Sequence, residues 1–438
     1  MSRSRWISVV FLCIPVGLIL FYTQAIDFLD DVSIHFIGNT KQDWGFIEID
    51  SSKNIFYWLY YTTANVTKPE ERPLLIWLQG GPGIAASCYG NFMEIGPYSF
   101  ELTKRNDTWI REFNVLFVDY PVEVGFSYKI NKANAKLPKN ITQVGDDLII
   151  FAKNFFTEKP EWKNSSLYVF GQSYGAKFAV ELANRIEMEN KDGDGGYDFN
   201  LKGVGFFGGY ISPIDFISNY GKIGYTLGLF DEHKFKSVKA EIRKINSAIK
   251  RKKFQIAHDL EKHFLNNFVD GFDIYNILYP FPVHLTNDNL HKDQINCNNL
   301  FQFVVQPYLK LKALKWTFFN TDCYENFEKE LFQGVTEKVE YLLNNSKIKI
   351  LVLTGILDYV VNVAGTVDWI KKLKWEGIQE WKDQKQTTFA IDNINEAFVR
   401  KIDRLSFYAV LRAGHSIPKD NPKAVLEILR REILEEFL

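Results

Sequence analysis

Seven short apolar runs constrain this chain more than any other feature. They fall at residues 55–61, 74–78, 115–118, 167–170, 204–207, 348–353 and 407–411. Several are continuous instead of alternating, which is the signature of strands buried on both faces of a mostly parallel sheet. Between them lie segments of helical period at 143–156, 174–188, 363–372 and 424–437. Together they predict an α/β fold, a mostly parallel central sheet flanked by helices.

One stretch breaks the alternation. Residues 213–335 carry amphipathic helical patterns and five of the seven histidines, but no clean strand–helix rhythm. They read as an inserted, mainly helical cap. The core is then split into a first part, 26–212, and a second part, 336–438. Active sites of open α/β sheets lie at the carboxyl edge that such a cap would cover.

Charge narrows the choice of partner. The chain has 52 Lys+Arg against 53 Asp+Glu, a formal charge of −1. That balance argues against a nucleic-acid protein, which would show a basic patch or a high pI. The one basic run, residues 250–253, continues an amphipathic pattern through Val238, Ile242, Ile245 and Ile249, and reads as a solvated helix end. Neither CxxC nor HExxH is present, so no metal site and no cofactor is expected. His258 and His263, five apart, share a helix face poorly. The turn at 191–196 resembles a calcium loop but lacks the closing carboxylate.

The N-terminus reads as a secretion signal. Arg3 and Arg5 precede an apolar run over 7–22, and small residues at Thr23 and Ala25 suit cleavage after Ala25. The run is shorter than the ~20 residues of a membrane helix. No later stretch is long and apolar enough to span, so a secreted or lysosomal product is expected. Sequons stand at Asn65, Asn106, Asn140, Asn164 and Asn344, against about three expected by chance. Cys13 leaves with the signal. Of Cys88, Cys297 and Cys323, oxidising conditions favour a local Cys297–Cys323 bridge with Cys88 free.

Gly171-Gln172-Ser173-Tyr174-Gly175 matches G-x-S-x-G, directly after an expected strand and opening an expected helix. That is the setting of a nucleophile elbow. A serine nucleophile needs a base, and the base an orienting acid. In chain order these should be an acid and then a histidine, each on a loop after a strand. Asp358 is the first carboxylate after 348–353, and His415 follows 407–411. Singly they are a helix-cap serine, a turn aspartate and a loop histidine; in this order they make a triad. An oxyanion hole needs backbone N–H donors. Tyr174 supplies one, and Gly81, in Gln79-Gly80-Gly81-Pro82-Gly83, is placed to supply the other.

At these segments the chain resembles the serine carboxypeptidases, most closely the retinoid-inducible branch. The resemblance is carried by Leu75 to Gly83, Gly90 to Pro97, Leu116 to Tyr128, the elbow, Ile211 to Asp215, Thr354 to Asp358 and Ala413 to Pro418. It implies an α/β-hydrolase fold with a helical cap, and removal of C-terminal residues from peptides or proteins. It also implies that Ser173, Asp358 and His415 form the triad and that Gly81 and Tyr174 form the oxyanion hole.

The resemblance further implies a clamp for the substrate's terminal carboxylate, built from an amide and two glutamates. Here the amide is Gln79, the residue before the serine is Gln172, and the remaining place falls on Met93, with Glu94 adjacent to substitute if the loop shifts by one residue. A paired protonated carboxyl ties binding to acid pH, whereas an amide donates at any pH. Other departures are Ile356, Ser416 and Glu123, the last a new charge beside the expected cleft. An esterase, amidase or acyltransferase would keep the same nucleophile and change the acceptor. A non-catalytic binding protein on a hydrolase scaffold is the third reading. A homodimer is compatible with each.

Overall fold

The computed structural model describes residues 37–131, 136–192, 197–280 and 288–434. The segment read as a secretion signal, with Cys13, and residues 193–196 of the calcium-like turn lie outside them. The strands are β1 (Gln42–Asp50), β2 (Lys53–Tyr60), β3 (Leu74–Leu78), β4 (Asn114–Val118), β5 (Tyr128–Lys129), β6 (Leu167–Gln172), β7 (Leu201–Phe207), β8 (Lys349–Gly355), β9 (Thr387–Ile391), β10 (Ile394–Ile402) and β11 (Leu405–Val410). They form one sheet in the order β1-β2-β4-β3-β6-β7-β8-β11-β10-β9, with β5 beside β2. The six strands from β4 to β11 in that order run parallel. Antiparallel strands flank them on both sides.

Each apolar run feeds two cores because alternate side chains point to opposite faces. Leu74, Ile76 and Leu78 enter one core, and Leu75 and Trp77 the other. Helix Ile141–Glu158 lies on the first face. It starts where Asn140 accepts from the Gln143 N–H at 2.9 Å, and it buries Val144, Leu148, Phe151 and Phe155, spaced to keep one stripe inward. Helix Gly175–Lys191 joins it there. Helix Pro422–Leu429 covers the opposite face. Much of the aromatic content is spent in that second core, where Trp77, Trp109, Phe170 and Phe207 pack ring to ring.

Between β7 and β8 the described chain makes helices and turns but no named strand. Helix Glu232–Lys250 buries Val238, Ile242, Ile245 and Ile249, and the lysines and arginine at 250–253 are exposed. The end of this insertion is stitched to the core through the isolated bridges Ile84↔Phe319 and Gly125↔Thr317.

The expected Cys297–Cys323 bridge is not formed. Cys88 joins Cys297 across 209 positions, with Cα atoms 6.2 Å apart, and Cys323 is free and buried. The reason is the path of the insertion. Helix Asp288–Leu300 brings Cys297 over the turn Tyr89–Ile95, where its sulfur lies 3.9 Å from Met93 Sδ. Helix Thr321–Phe327 instead places Cys323 against Gly83, where a β-carbon would lie 3.5 Å from its sulfur. Nearness along the chain is not nearness in space.

Candidate active site

Ser173 directly follows β6 with φ +55, a left-handed conformation that costs a non-glycine residue about 1 kcal/mol or more and marks an over-determined turn. Its N–H donates to the Phe207 carbonyl at 3.0 Å, and its own carbonyl accepts from Tyr210 N–H at 2.9 Å. The flanking glycines are required by close approach. A β-carbon on Gly171 would lie 2.1 Å from the Gly175 carbonyl oxygen, and one on Gly175 would lie 2.2 Å from that of Leu78. The serine is therefore held at the sheet's carboxyl edge.

Two neighbouring strands bring its partners. Asp358 follows β8, and His415 follows β11, in the sheet order β6-β7-β8-β11. His415 Nδ1 and Asp358 Oδ2 are 2.7 Å apart. The other Asp358 oxygen accepts from Val361 N–H at 2.9 Å. That leaves the histidine's second nitrogen for the cavity that His415 and Ser173 both line, about 470 Å³ in volume. Asp358 is fully shielded behind it. The insertion closes over the histidine. His415 N–H donates to the Tyr275 carbonyl at 2.7 Å, and the Tyr275 ring stands 5.2 Å from the imidazole.

The Gly80–Gly83 loop abuts the elbow. A β-carbon on Gly80 would lie 2.7 Å from Ser173 Cβ and 3.0 Å from Tyr174 N. Gly81, with φ +112, needs a conformation that glycine alone adopts readily. The loop thus brings Gly80 against Ser173 and the Tyr174 amide, and Gly81 lines the same cavity as Ser173. Tyr174's ring turns away and packs against Phe178 and Phe327.

Beyond the serine runs a relay of side chains. Trp77 Nε1 donates to Gln79 Oε1 at 2.8 Å. Gln79 donates to Gln172, and Gln172 donates to Glu94. Gln79 and Gln172 line the cavity, while Glu94 is buried behind them. Burial pushes the Glu94 carboxyl up to about 8, although the Gln172 bond, the Lys419 charge and the Ser416 hydroxyl pull the other way.

Of the two residues the sequence offered in this stretch, Glu94 and not Met93 joins the relay. Residues Tyr89–Ile95 form a wide turn, with bonds such as Asn91 N–H to Ala86 O and Gly96 N–H to Asn91 O, five residues apart. Such a turn holds one more residue than an α-helical one. Met93 turns into the core beside Cys297, and Glu94 takes the inner position. Glu123 also departs from expectation. It pairs with Lys129 at 2.6 Å and lies outside the cavity wall.

Sequence reasoning missed the insertion's share of the cavity, including Tyr275, Asn276 and Asp293, and it missed Lys419. No motif marks the first three. Lys419 could have been noticed as the charge four residues after His415. Among the described residues, no group of three His, Cys, Asp or Glu side chains is arranged to hold a metal ion.

A serine at positive φ between strand and helix, on a sheet of this order, is the architecture of an α/β-hydrolase. The resemblance to known proteins makes the class narrower. The chain belongs to the serine carboxypeptidase family, whose sequence profile matches residues 34–435, and is a serine-type carboxypeptidase by that membership. It is 29% identical over 415 residues to the human (Homo sapiens) retinoid-inducible serine carboxypeptidase, covering 89% of this chain and 91% of that one. It is 28% identical over 424 residues to serine carboxypeptidase-like 51 of Arabidopsis thaliana, with the same coverage. Among solved structures, it shares its fold with a prohormone-processing carboxypeptidase from Saccharomyces cerevisiae, at TM-score 0.79 and 23% identity over 90% of this chain and 92% of that one.

Proposed function

We propose that the protein removes C-terminal residues from peptides through an acyl-enzyme on Ser173. The observation that carries this reading is the 2.7 Å His415–Asp358 contact, which orients the imidazole toward the cavity it shares with Ser173. Ser173 Oγ attacks the last peptide carbonyl and gives its proton to His415 Nε2. Asp358 holds the Nδ1–H tautomer and stabilises the imidazolium. The Gly81 and Tyr174 N–H groups receive the developing oxyanion. His415 then protonates the leaving amine, and a water, deprotonated by the same histidine, releases the shortened peptide. Gln79, Gln172 and protonated Glu94 receive the terminal carboxylate, which sets exopeptidase action.

The reading extends to place and organisation. The basic-then-apolar N-terminus and the exposed sequons Asn65, Asn106, Asn164 and Asn344 support a glycosylated product of the secretory pathway, secreted or lysosomal. Asn140 is only half-exposed and spends its side-chain oxygen on a helix cap. Among the described residues no helix is long and apolar enough to cross a membrane. Residues 213–335 act as a cap inserted between core segments 26–212 and 336–438.

The test is a fluorophosphonate probe followed by a panel of peptides with free C-termini. Labelling at Ser173, stepwise release of C-terminal residues, and loss of both in Ser173→Ala are expected. Labelling with turnover of esters but of no peptide would move the chain to the esterase or acyltransferase reading. Neither labelling nor release would leave a binding protein on a hydrolase scaffold.

A further inference from the structure

The relay that would receive the substrate's carboxylate carries no positive charge. Gln79 and Gln172 each have two amide N–H groups, and each already spends one inside the relay. The charged groups lining the same cavity are Asp273, Asp293 and Asp420 against Lys292 and Lys419, with Glu94 buried next to it. An anionic C-terminus entering beside three carboxylates is repelled by them, and a cation in the same wall offsets that cost.

The two lysines are not equivalent. Lys292 belongs to the insertion helix Asp288–Leu300. Lys419 lies four residues after His415, in the short turn Ile417–Asp420. It lines the cavity together with Gln79, Gln172 and Ser173, and it also lines an adjoining cavity that reaches Glu94 and Arg105. Its charge is felt by Glu94, Asp293 and Asp420. Lys419 therefore stands at the end of the cavity where the relay ends.

Its neighbours leave it available. Asp420 turns one oxygen, Oδ2, to other donors, accepting from Gly414 N–H at 2.7 Å and from Asn276 Nδ2 at 3.0 Å. Asp293 is Lys419's ion-pair partner, but the two are 3.8 Å apart and the lysine side chain is 41% exposed. That is a loose pair, weak in water. Asp293 also feels Lys292, so it keeps a cation when Lys419 moves.

We propose that Lys419 is the cation that receives the substrate's terminal carboxylate, exchanging its loose pairing with Asp293 for a charge-assisted bond to the incoming anion. It is a specificity-determining residue: it selects a free acid over a blocked C-terminus and takes no part in bond cleavage. The inference rests on the carboxypeptidase reading above and adds to it a charge that the sequence motifs do not contain.

The test compares one peptide as its free acid and as its C-terminal amide, in the full-length protein and in Lys419→Met, Lys419→Gln and Lys419→Arg. Fluorophosphonate labelling of Ser173 in each variant reports that the site is assembled. The expected result is a KM for the free acid raised about tenfold in Lys419→Met and Lys419→Gln, the magnitude of one charge-assisted bond. The preference for acid over amide falls with it, kcat changes far less, and Lys419→Arg restores the preference. An unchanged preference in labelled Met and Gln variants, with the parent protein still releasing C-terminal residues, overturns the proposal alone. A labelled parent protein that releases no C-terminal residue overturns the carboxypeptidase reading, and the proposal with it.

Discussion

Gln172 donates its side-chain amide to Glu94, a carboxyl buried on the inner side of the wide turn Tyr89–Ile95. A glutamine thus stands between Ser173 beside it and an acid held near 8 by burial. The arrangement joins an amide, which donates at every pH, to a group that donates only while protonated.

Substrate affinity should record that titration. On the proposed carboxylate clamp, the Glu94 carboxyl is neutral below about 8 and adds a donor for the substrate's terminal carboxylate. Above it the group ionises and repels the substrate. KM for a free-acid peptide is expected to stay flat from weakly acid pH to about 8 and then rise. Glu94→Gln, neutral throughout, should flatten the alkaline rise. A KM profile from pH 5 to 9.5 checks this, and an identical rise in the variant would remove Glu94 from the carboxylate site.

The catalytic step should respond to the acid behind the histidine. Asp358→Asn keeps the shape but offers an N–H to His415 Nδ1, so the imidazole takes the wrong tautomer. We expect kcat to fall by about 10³–10⁴-fold with KM little changed. Steady-state kinetics on one peptide decides it, and a loss below tenfold would mean that Asp358 does not orient the base.

How much of this was legible in the sequence varies with the physics. Strands β3, β4 and β6 stood out because a strand buried on both faces must be apolar throughout. Strands β1 and β10 did not: Gln42–Asp50 and Ile394–Ile402 lie on the flanks of the sheet, are partly exposed and carry charges. Ser173, Asp358 and His415 could be picked out as residues just past strand ends. The His415–Asp358 contact and the cavity His415 shares with Ser173 depend on the order β6-β7-β8-β11, which no local pattern encodes. The sequence left Met93 and Glu94 both open, because a turn with five-residue bonds shifts side chains by one position and leaves no compositional trace.

Cysteine pairing was hidden for the same non-local reason and gives a direct check. Digestion without reduction should yield a Cys88–Cys297 linked peptide and an unmodified Cys323 peptide. Cys323 is buried and its thiol is pushed up to about 12, so thiol reagents should reach it only after unfolding. Cys88→Ala with Cys297→Ala should cost about 2–5 kcal/mol of stability. It should also raise KM, because Cys88 opens the turn that presents Glu94. Recovery of a Cys297–Cys323 peptide would contradict the fold around the insertion.

Lys177 supplies the last prediction. It lies in the helix that starts at the elbow and is fully buried. Its ammonium donates to the Leu331 carbonyl at 2.9 Å and the Gln333 carbonyl at 2.7 Å, which fastens the end of the insertion to the helix that follows Ser173. It also lies 4.6 Å above the centre of the Tyr174 ring. Burial drives this lysine down to about 7, against the attraction of Glu330 and Glu337. In the unfolded chain it titrates near its ordinary value of 10.5. Between those values the unfolded state binds the extra proton, so this group's contribution to stability rises with pH from about 7 and levels off near 10.5. Below about 7 both states are charged and the full burial cost is present. Lys177→Met removes the titration. The difference in urea midpoint between the parent protein and the variant should therefore move in the parent's favour as pH rises from 6 to 9. Other buried acids such as Glu261 and Asp119 cancel in that difference. A difference that is constant with pH would mean that Lys177 stays charged inside the protein, held by its two carbonyls and the Tyr174 ring.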